Sequence, residues 1–397
     1  MTATEILYDP YDYAIDADPY PVWKRLRDEA PLYYNEQYDF WALSRFGDVH
    51  SAHLDHETFS SAHGTVIEMM TDEPGESSLM IFMDPPAHNQ LRKLVSRAFT
   101  PRRVNRLEGR IRQLCAGYLD PHLGADGFDY VADFGARLPV MVISSLLGIP
   151  EEDQDWLREM SDLMLHREPG ETGPSPEAVA AVGDLLSYWQ DHIDRRRAEP
   201  VEDIMSELVH SEMELGDGTT RPLDDGELHS FIGLLSAAGN ETVARLLGFA
   251  ATTLARNPDQ REHLVEDASL IPNAVEELLR YEAPSPIQAR WVTRDVELHD
   301  VVVPRGSKIT LLTGSAGRDD REFDEPDRFD VNRRIERHLS FGYGVHYCLG
   351  ASLARLEGRV ALEETLRRFP VWDIDEDALE MVHTSTVRGY ARVPIGL

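Results

Sequence analysis

Cysteine is nearly absent from this 397-residue chain: Cys115 and Cys348 are the only two. Two thiols cannot build a disulfide scaffold or a four-cysteine zinc site, and they suit a reducing compartment. Positive charge is scarce as well. Asp and Glu number 71 against 39 Lys and Arg, a formal net charge of −32, which argues against binding nucleic acid or an anionic membrane surface. Long apolar runs are missing. The longest, Leu138 to Pro150, carries Pro139 and two serines and falls short of the ~20 residues of a bilayer span. The first ten residues hold neither a basic region nor an apolar core, so no secretion signal is read and a cytoplasmic protein is expected. What is present, 42% hydrophobic and 28% charged residues, is the composition of a globular protein.

The length admits two or three domains, or one large domain built round a ligand. No repeat or low-complexity linker divides it. The N-terminal ~70 residues mix short helical pieces with aromatic, strand-like ones such as Pro31-Leu-Tyr-Tyr-Asn35 and Asp39-Phe-Trp-Ala-Leu43. From about Leu91 to Arg280 the pattern is largely helical, broken at Pro101, Pro121, Pro150, Pro174 and Pro200. Alternating residues between Trp291 and Leu312 predict short strands, and a helical pattern from Leu349 to Phe369 stops at Pro370. The expected class is mainly α with minor β-sheets. The segment Glu168 to Pro176 reads as a loop, either a mobile lid or a plain surface connection.

The most informative stretch is Phe341-Gly-Tyr-Gly-Val-His-Tyr-Cys-Leu-Gly350. Gly342 and Gly344 permit backbone conformations closed to other residues. Leu349, Leu353, Leu356 and Val360 then form the apolar stripe of a helix. A cysteine at such a helix start lies near unpaired N–H groups in a positive field, and both favour thiolate. The thiolate could be a nucleophile, a zinc ligand or an axial haem ligand. No base is placed for the first, and His346 and Cys348 alone lack zinc spacing. A porphyrin needs only the one thiolate.

Phe341-Gly342-x-Gly344-x-His346-x-Cys348-x-Gly350 resembles the haem-binding loop of the cytochrome P450 monooxygenases in their bacterial form, and further motifs of that family occur in the right order across nearly the whole chain. The resemblance implies a single domain over residues 1–397, haem b as cofactor, Cys348 as its iron ligand, and a haem lying between a long central helix and the helix after Cys348. It implies contacts to haem from Phe341, Gly342 and Gly350, and a propionate bond from His346.

The long helix is expected from Asp224 to Asn257, and its middle reads Ala237-Ala-Gly-Asn-Glu-Thr242. Read alone, Thr242 would bond back to the carbonyl four residues earlier, with Glu241 solvated. By resemblance, Ala238-Gly-x-Glu-Thr242 is the oxygen-activation motif: a helix distortion opens a groove, Thr242 hydrogen-bonds the oxygen being activated, and Glu241 relays protons. Gly239 would allow close approach of the ligand.

His88 and Arg92, spaced i and i+4, face one way on a helix; with Arg290 they match the family's propionate ligands. Glu277 and Arg280 match its Glu-x-x-Arg motif, closed by Arg328, with a structural role. Gly317 stands where relatives commonly carry Asn. The resemblance also implies substrate contacts from 65–81, Met164, Leu234, Leu235, Ala238, Pro286 to Gln288 with Ile287 among them, and Thr384 to Val387, including Thr386.

One feature runs against the acidic composition. Between residues 92 and 112 lie Arg92, Lys93, Arg97, Arg102, Arg103, Arg106, Arg110 and Arg112, opposed in sequence only by Glu108, and Arg355 and Arg359 follow Cys348. Such a run is ordinarily a solvated face; here it predicts a docking patch for an acidic ferredoxin. The expected function is hydroxylation of a hydrophobic small molecule (terpenoid, steroid, fatty-acyl or polyketide-like) by a monomer, using O2 and electrons from NAD(P)H through a reductase and ferredoxin. A peroxide-driven peroxygenase or a thiolate-haem sensor are the alternatives, neither of which needs the Glu241-Thr242 pair.

Overall fold

The computed structural model describes residues 6–75, 77–97, 99–165, 175–215, 218–384 and 387–397. Most of the expected lid segment, and Thr386, lie outside them. The helices that frame the site are α1 (Phe46–Leu54), α2 (Ala87–Val95), α3 (Glu108–Leu119), α4 (Arg137–Leu147), α5 (Gln154–Leu165), α6 (Pro176–Ala198), α7 (Asp225–Arg256), α8 (Ile271–Tyr281) and α9 (Ala351–Arg368). The strands used below are β1 (Leu32–Asn35), β2 (Phe40–Leu43), β3 (Phe59–Ser60), β4 (Gln288–Val292), β5 (Lys308–Leu311), β6 (Glu380–Met381) and β7 (Tyr390–Arg392). The fold is mainly α with minor sheets.

α7 is the axis of the molecule. Asp224 accepts from the Glu227 N–H at 2.8 Å while the Glu227 carboxylate accepts from the Asp224 N–H at 3.0 Å, a reciprocal cap that sets where the helix starts. Its 32 residues span about 48 Å, and α4, α6 and α9 pack along it. The expected bounds are its two capping residues, Asp224 and Asn257. By length and composition the stretch Tyr130–Leu147 could also cross a bilayer, yet 61% of it is buried inside the fold, where α4 lies against α7.

The largest sheet has the order β1-β2-β5-β4-β3. The N-terminal hairpin β1–β2 joins it by a parallel pairing of β2 with β5, Ala42 opposite Thr310. Antiparallel pairing of β5 with β4 sets Ile309 opposite Arg290. Arg290 is thereby held on a central strand, 5% exposed.

The Glu277–Arg280 pair is fully buried, with Nε to Oε2 at 2.7 Å. Its closing partner differs from the expected one. Arg333 reaches Glu277 Oε1 at 3.1 Å, whereas the Arg328 guanidinium pairs with Glu325 at the surface and only the Arg328 carbonyl accepts from Arg280 and Arg333. Both arginines sit in the aperiodic stretch after Arg318, so spacing could not rank them. Gly317 has a packing reason of its own: a Cβ there would fall 2.3 Å from the Arg280 carbonyl oxygen.

Candidate functional site

Cys348 sits in a loop closed on itself by its own N–H, which donates to the Phe341 carbonyl at 2.9 Å. Gly342 and Gly344 adopt φ of 64° and 68°, and a Cβ on Gly344 would meet the His53 carbonyl oxygen at 2.6 Å. Only Leu349 and Gly350 separate the cysteine from α9, which begins at Ala351. The N–H groups of Gly350 and Ala351 and the charges of Arg92 and Arg355 pull the thiol toward thiolate, but burial outweighs them and the net displacement is upward. The N–H groups act in the expected direction, but the helix start alone does not outweigh burial at Cys348; a bound cation is what deprotonates such a thiol.

Cys348 lies in the wall of a cavity of about 310 Å³. Phe341, Gly342, His346, Gly350, His88, Arg92 and Arg290 share that wall. So do Leu234, Leu235, Ala238 and Thr242 from the middle of α7. The Thr242 hydroxyl donates to the Ala238 carbonyl at 2.9 Å. The helix assignment is continuous through this turn, from Asp225 to Arg256. Gly239 borders the cavity too, but its lack of a side chain is required by α4, since a Cβ would fall 2.8 Å from Ile143 Cδ1.

One end of the cavity is a cradle of donors. The His88 and His346 rings are 4.3 Å apart, centroid to centroid. Arg92 donates to the Tyr347 carbonyl at 2.5 Å and Arg290 to the Ala289 carbonyl at 2.7 Å, and among the described residues neither guanidinium has an ion pair. Burial lowers both, Arg290 to about 10. Burial, then Arg290, His88 and Arg92, holds the His346 imidazole far below its usual value. The Nε2 atoms of His88 and His346 are buried with no partner among the described residues. Two uncompensated guanidiniums and orphaned imidazole nitrogens call for a dianion. An apolar body with two carboxylates, ligated by one thiolate, matches this donor set: the residues fit haem.

Several expected contacts fall elsewhere. Glu241 is buried but opens to a different cavity, of about 500 Å³, behind α7. There its carboxylate meets Arg245 at 2.5 Å, and Arg245 also donates to the Tyr390 carbonyl on β7 at 2.7 Å. Ile287 packs with the N-terminal cluster around Tyr8 and Trp23, while Gln288 and Arg290 of β4 face the cavity; one residue before Gln288, Ile287 falls on the opposite side. Met164 is outside the cavity wall as well.

Phe99, Phe231, His53 and Glu357 line the cavity and were not read from the sequence. The last two carried a signal. His53 continues the buried stripe Phe46–Val49 of α1, and Glu357 continues that of Leu353 on α9. A titratable residue on an apolar stripe is a candidate for a site. Burial raises the Glu357 carboxyl to about 8, and its Oε2 has no partner among the described residues.

The basic run is largely neutralised by the fold. Lys93 pairs with Glu214, Arg103 with Glu207 and Arg110 with Glu151. Arg112 and Arg359 share Glu108 and Glu363, and Arg355 pairs with Glu276. Arg97, Arg102 and Arg106 are exposed and have no ion pair among the described residues.

Comparison with known proteins identifies the family of the whole chain. The family model described as Cytochrome P450 matches residues 177–391. A Mycobacterium tuberculosis protein designated cytochrome P450 123 is 44% identical over 99% of this chain and 97% of its own. The vitamin D(3) 25-hydroxylase of Pseudonocardia autotrophica is 37% identical over 99% of this chain and 97% of its own. Among solved structures, the cytochrome P450 PksS of the Bacillus subtilis 168 bacillaene polyketide synthase superimposes with a TM-score of 0.89 at 33% identity, covering 98% of this chain and all of that one.

Proposed function

This chain belongs to the cytochrome P450 family and is a haem-dependent monooxygenase; from that premise we propose that it hydroxylates a hydrophobic small molecule with electrons passed from NAD(P)H through a ferredoxin reductase and a ferredoxin. It works in this reading as a cytoplasmic, single-domain monomer. Bound haem supplies the chemistry at iron: reductive activation of O2, one atom entering the substrate and the other leaving as water.

The chain's own part begins with binding. Cys348 gives its thiolate to the iron, and Arg92, Arg290, His88 and His346 hold the propionates. Phe341, Gly342 and Gly350 shape the face against the porphyrin. On α7, Leu234, Leu235 and Ala238 form an apolar wall that orients the substrate and excludes bulk water. The Thr242 hydroxyl, already donating to Ala238, keeps its lone pairs to accept a donor in the cavity and so holds a proton there. Glu241 takes protons from the chamber behind the helix and hands them on to Thr242. The surface basic group left unpaired, Arg97, Arg102 and Arg106, meets the acidic ferredoxin.

The reading rests chiefly on one observation: Cys348, the two unpaired guanidiniums and Thr242 border a single cavity. A steroid-like or polyketide-like substrate is favoured within the hydrophobic class, since one relative is named for hydroxylating vitamin D(3) and another belongs to a polyketide synthase. Turnover under labelled dioxygen tests the reaction. Product carrying one labelled oxygen, formed only with NAD(P)H, reductase and ferredoxin present, supports it. Product formed equally well from hydrogen peroxide alone would instead establish the peroxygenase.

A further inference from the structure

We propose that His53, at the end of α1, is a further anchor for a haem propionate, an inference that rests on the haem reading above. His53 is 5% exposed and borders the same cavity as Arg92, Arg290, His88 and His346. Neither its Nδ1 nor its Nε2 has a hydrogen-bond partner among the described residues. A buried imidazole with both nitrogens orphaned is a rare arrangement in a folded protein, and a ligand acceptor is one of its standard explanations.

The surroundings specify the acceptor. Burial, the nearby Arg290 charge and, less, His50 hold the His53 imidazole down at about 3, so at neutral pH it offers one N–H donor and one acceptor. The electrostatic pressure from Arg290 marks the space beside the ring as one suited to negative charge. The two guanidiniums balance the two carboxylates in charge, and the imidazoles add neutral donors without further cost in buried charge.

Position ties His53 to the metal-binding loop. Its carbonyl oxygen lies where a Cβ on Gly344 would fall, and its ring Cε1 is 3.7 Å from where a Cβ on Gly342 would be. α1 is thus seated against the two glycines that shape the Cys348 loop, and its last buried side chain reaches the cavity beside them. A propionate held there would join α1, β4 and the loop through one ligand.

The test measures haem loss to excess apomyoglobin from the holoenzyme and from His53→Phe and His53→Gln. His53→Phe should release haem about tenfold faster, the order expected for one charge-assisted hydrogen bond, and His53→Gln, which keeps a donor, should stay within about threefold of the parent. A second arm reconstitutes parent and His53→Phe with haem dimethyl ester, which has no propionate charge. There the two proteins should lose the cofactor at the same rate. Equal haem-loss rates for parent and His53→Phe with natural haem would overturn the proposal. So would an undiminished difference with the ester, because His53 would then act by packing alone. If His53→Phe does not fold, His53→Leu, which also lacks a donor, carries both arms. The reduced, carbon monoxide-bound spectrum of the parent stands apart from these outcomes: without a thiolate-type band the haem reading fails, whatever His53 does.

Discussion

Glu241 and Thr242 are neighbours in the chain that open to different spaces. Thr242 borders the cavity that contains Cys348, while Glu241 borders the chamber behind α7, its carboxylate 2.5 Å from Arg245. A helix turns its side chains by about 100° per residue, so consecutive residues span the thickness of α7 and can join a polar chamber to an otherwise apolar pocket. Arg245 holds Glu241 on the chamber side, and Gly389 makes room for it, since a Cβ there would lie 2.6 Å from Arg245 Cβ.

A proton path through this pair makes separable demands. Glu241→Gln should slow product formation by about a hundredfold, within the usual range for a positioned acid–base group, and should change the solvent deuterium isotope effect. Thr242→Ala should keep consuming NAD(P)H while diverting electrons to hydrogen peroxide. Measuring NAD(P)H, peroxide and product together checks both; full coupling in Thr242→Ala contradicts the role.

Glu357 gives the protein a pH dependence. Its carboxyl sits at about 8 in the fold, raised by burial from an ordinary 4.5, so the folded state binds this proton more tightly than the unfolded chain. The stabilisation is complete below about pH 4.5 and is lost as pH rises to about 8. Glu357→Gln, which cannot ionise, should gain stability relative to the parent between pH 5 and pH 8, by a few kcal/mol. Denaturant unfolding of both proteins at the two pH values measures this, and a constant difference would refute it.

The buried Glu277–Arg280–Arg333 network and the exposed Arg328 call for opposite outcomes. Removing Arg333 takes one of three donors from Glu277 Oε1, which keeps Arg280 and the Asp330 N–H, and also strips the Asp324, Glu325 and Arg328 carbonyls of its guanidinium; Arg333→Met should cost about 2 kcal/mol. Arg328→Ala, which leaves the backbone carbonyl in place, should change stability by no more than about 0.5 kcal/mol. Thermal unfolding of the two variants distinguishes them directly.

Docking of the electron donor should depend on the arginines the fold leaves unpaired. Arg102→Glu with Arg106→Glu should slow reduction by ferredoxin at least about tenfold at low ionic strength, with the difference shrinking as salt is added. Arg103→Gln should matter less, because Glu207 already offsets that charge. Stopped-flow reduction at two salt concentrations, with substrate affinity measured alongside, provides the check.

Local signals were legible in the sequence. The loop from Phe341 to Gly350, the His88–Arg92 spacing and the capped helix at Asp224 each lie within one short segment, where residue spacing determines what faces what. Facts that depend on distant packing were not. Glu241 was expected to sit with Thr242, but the side it faces is set by Arg245 and by β7, far along the chain. Arg328 and Arg333 stand in a stretch with no period, and only the fold chooses between them. Ile287 is turned out by the strand that follows it. The charges that neutralise the basic run, Glu207, Glu214, Glu363 and others, come from elements that lie far apart in the chain. His53 and Glu357 had a visible signal, a titratable group on an apolar stripe, without any local cue to the cavity they share.

The most direct test of the whole account is the absorption spectrum of the purified, dithionite-reduced protein under carbon monoxide. The account predicts a strongly red-shifted Soret band, lost in Cys348→Ala, because the thiolate of Cys348 is the iron's protein ligand. A band at the shorter position typical of histidine ligation, or no Soret band after haem supplementation during expression, would contradict it.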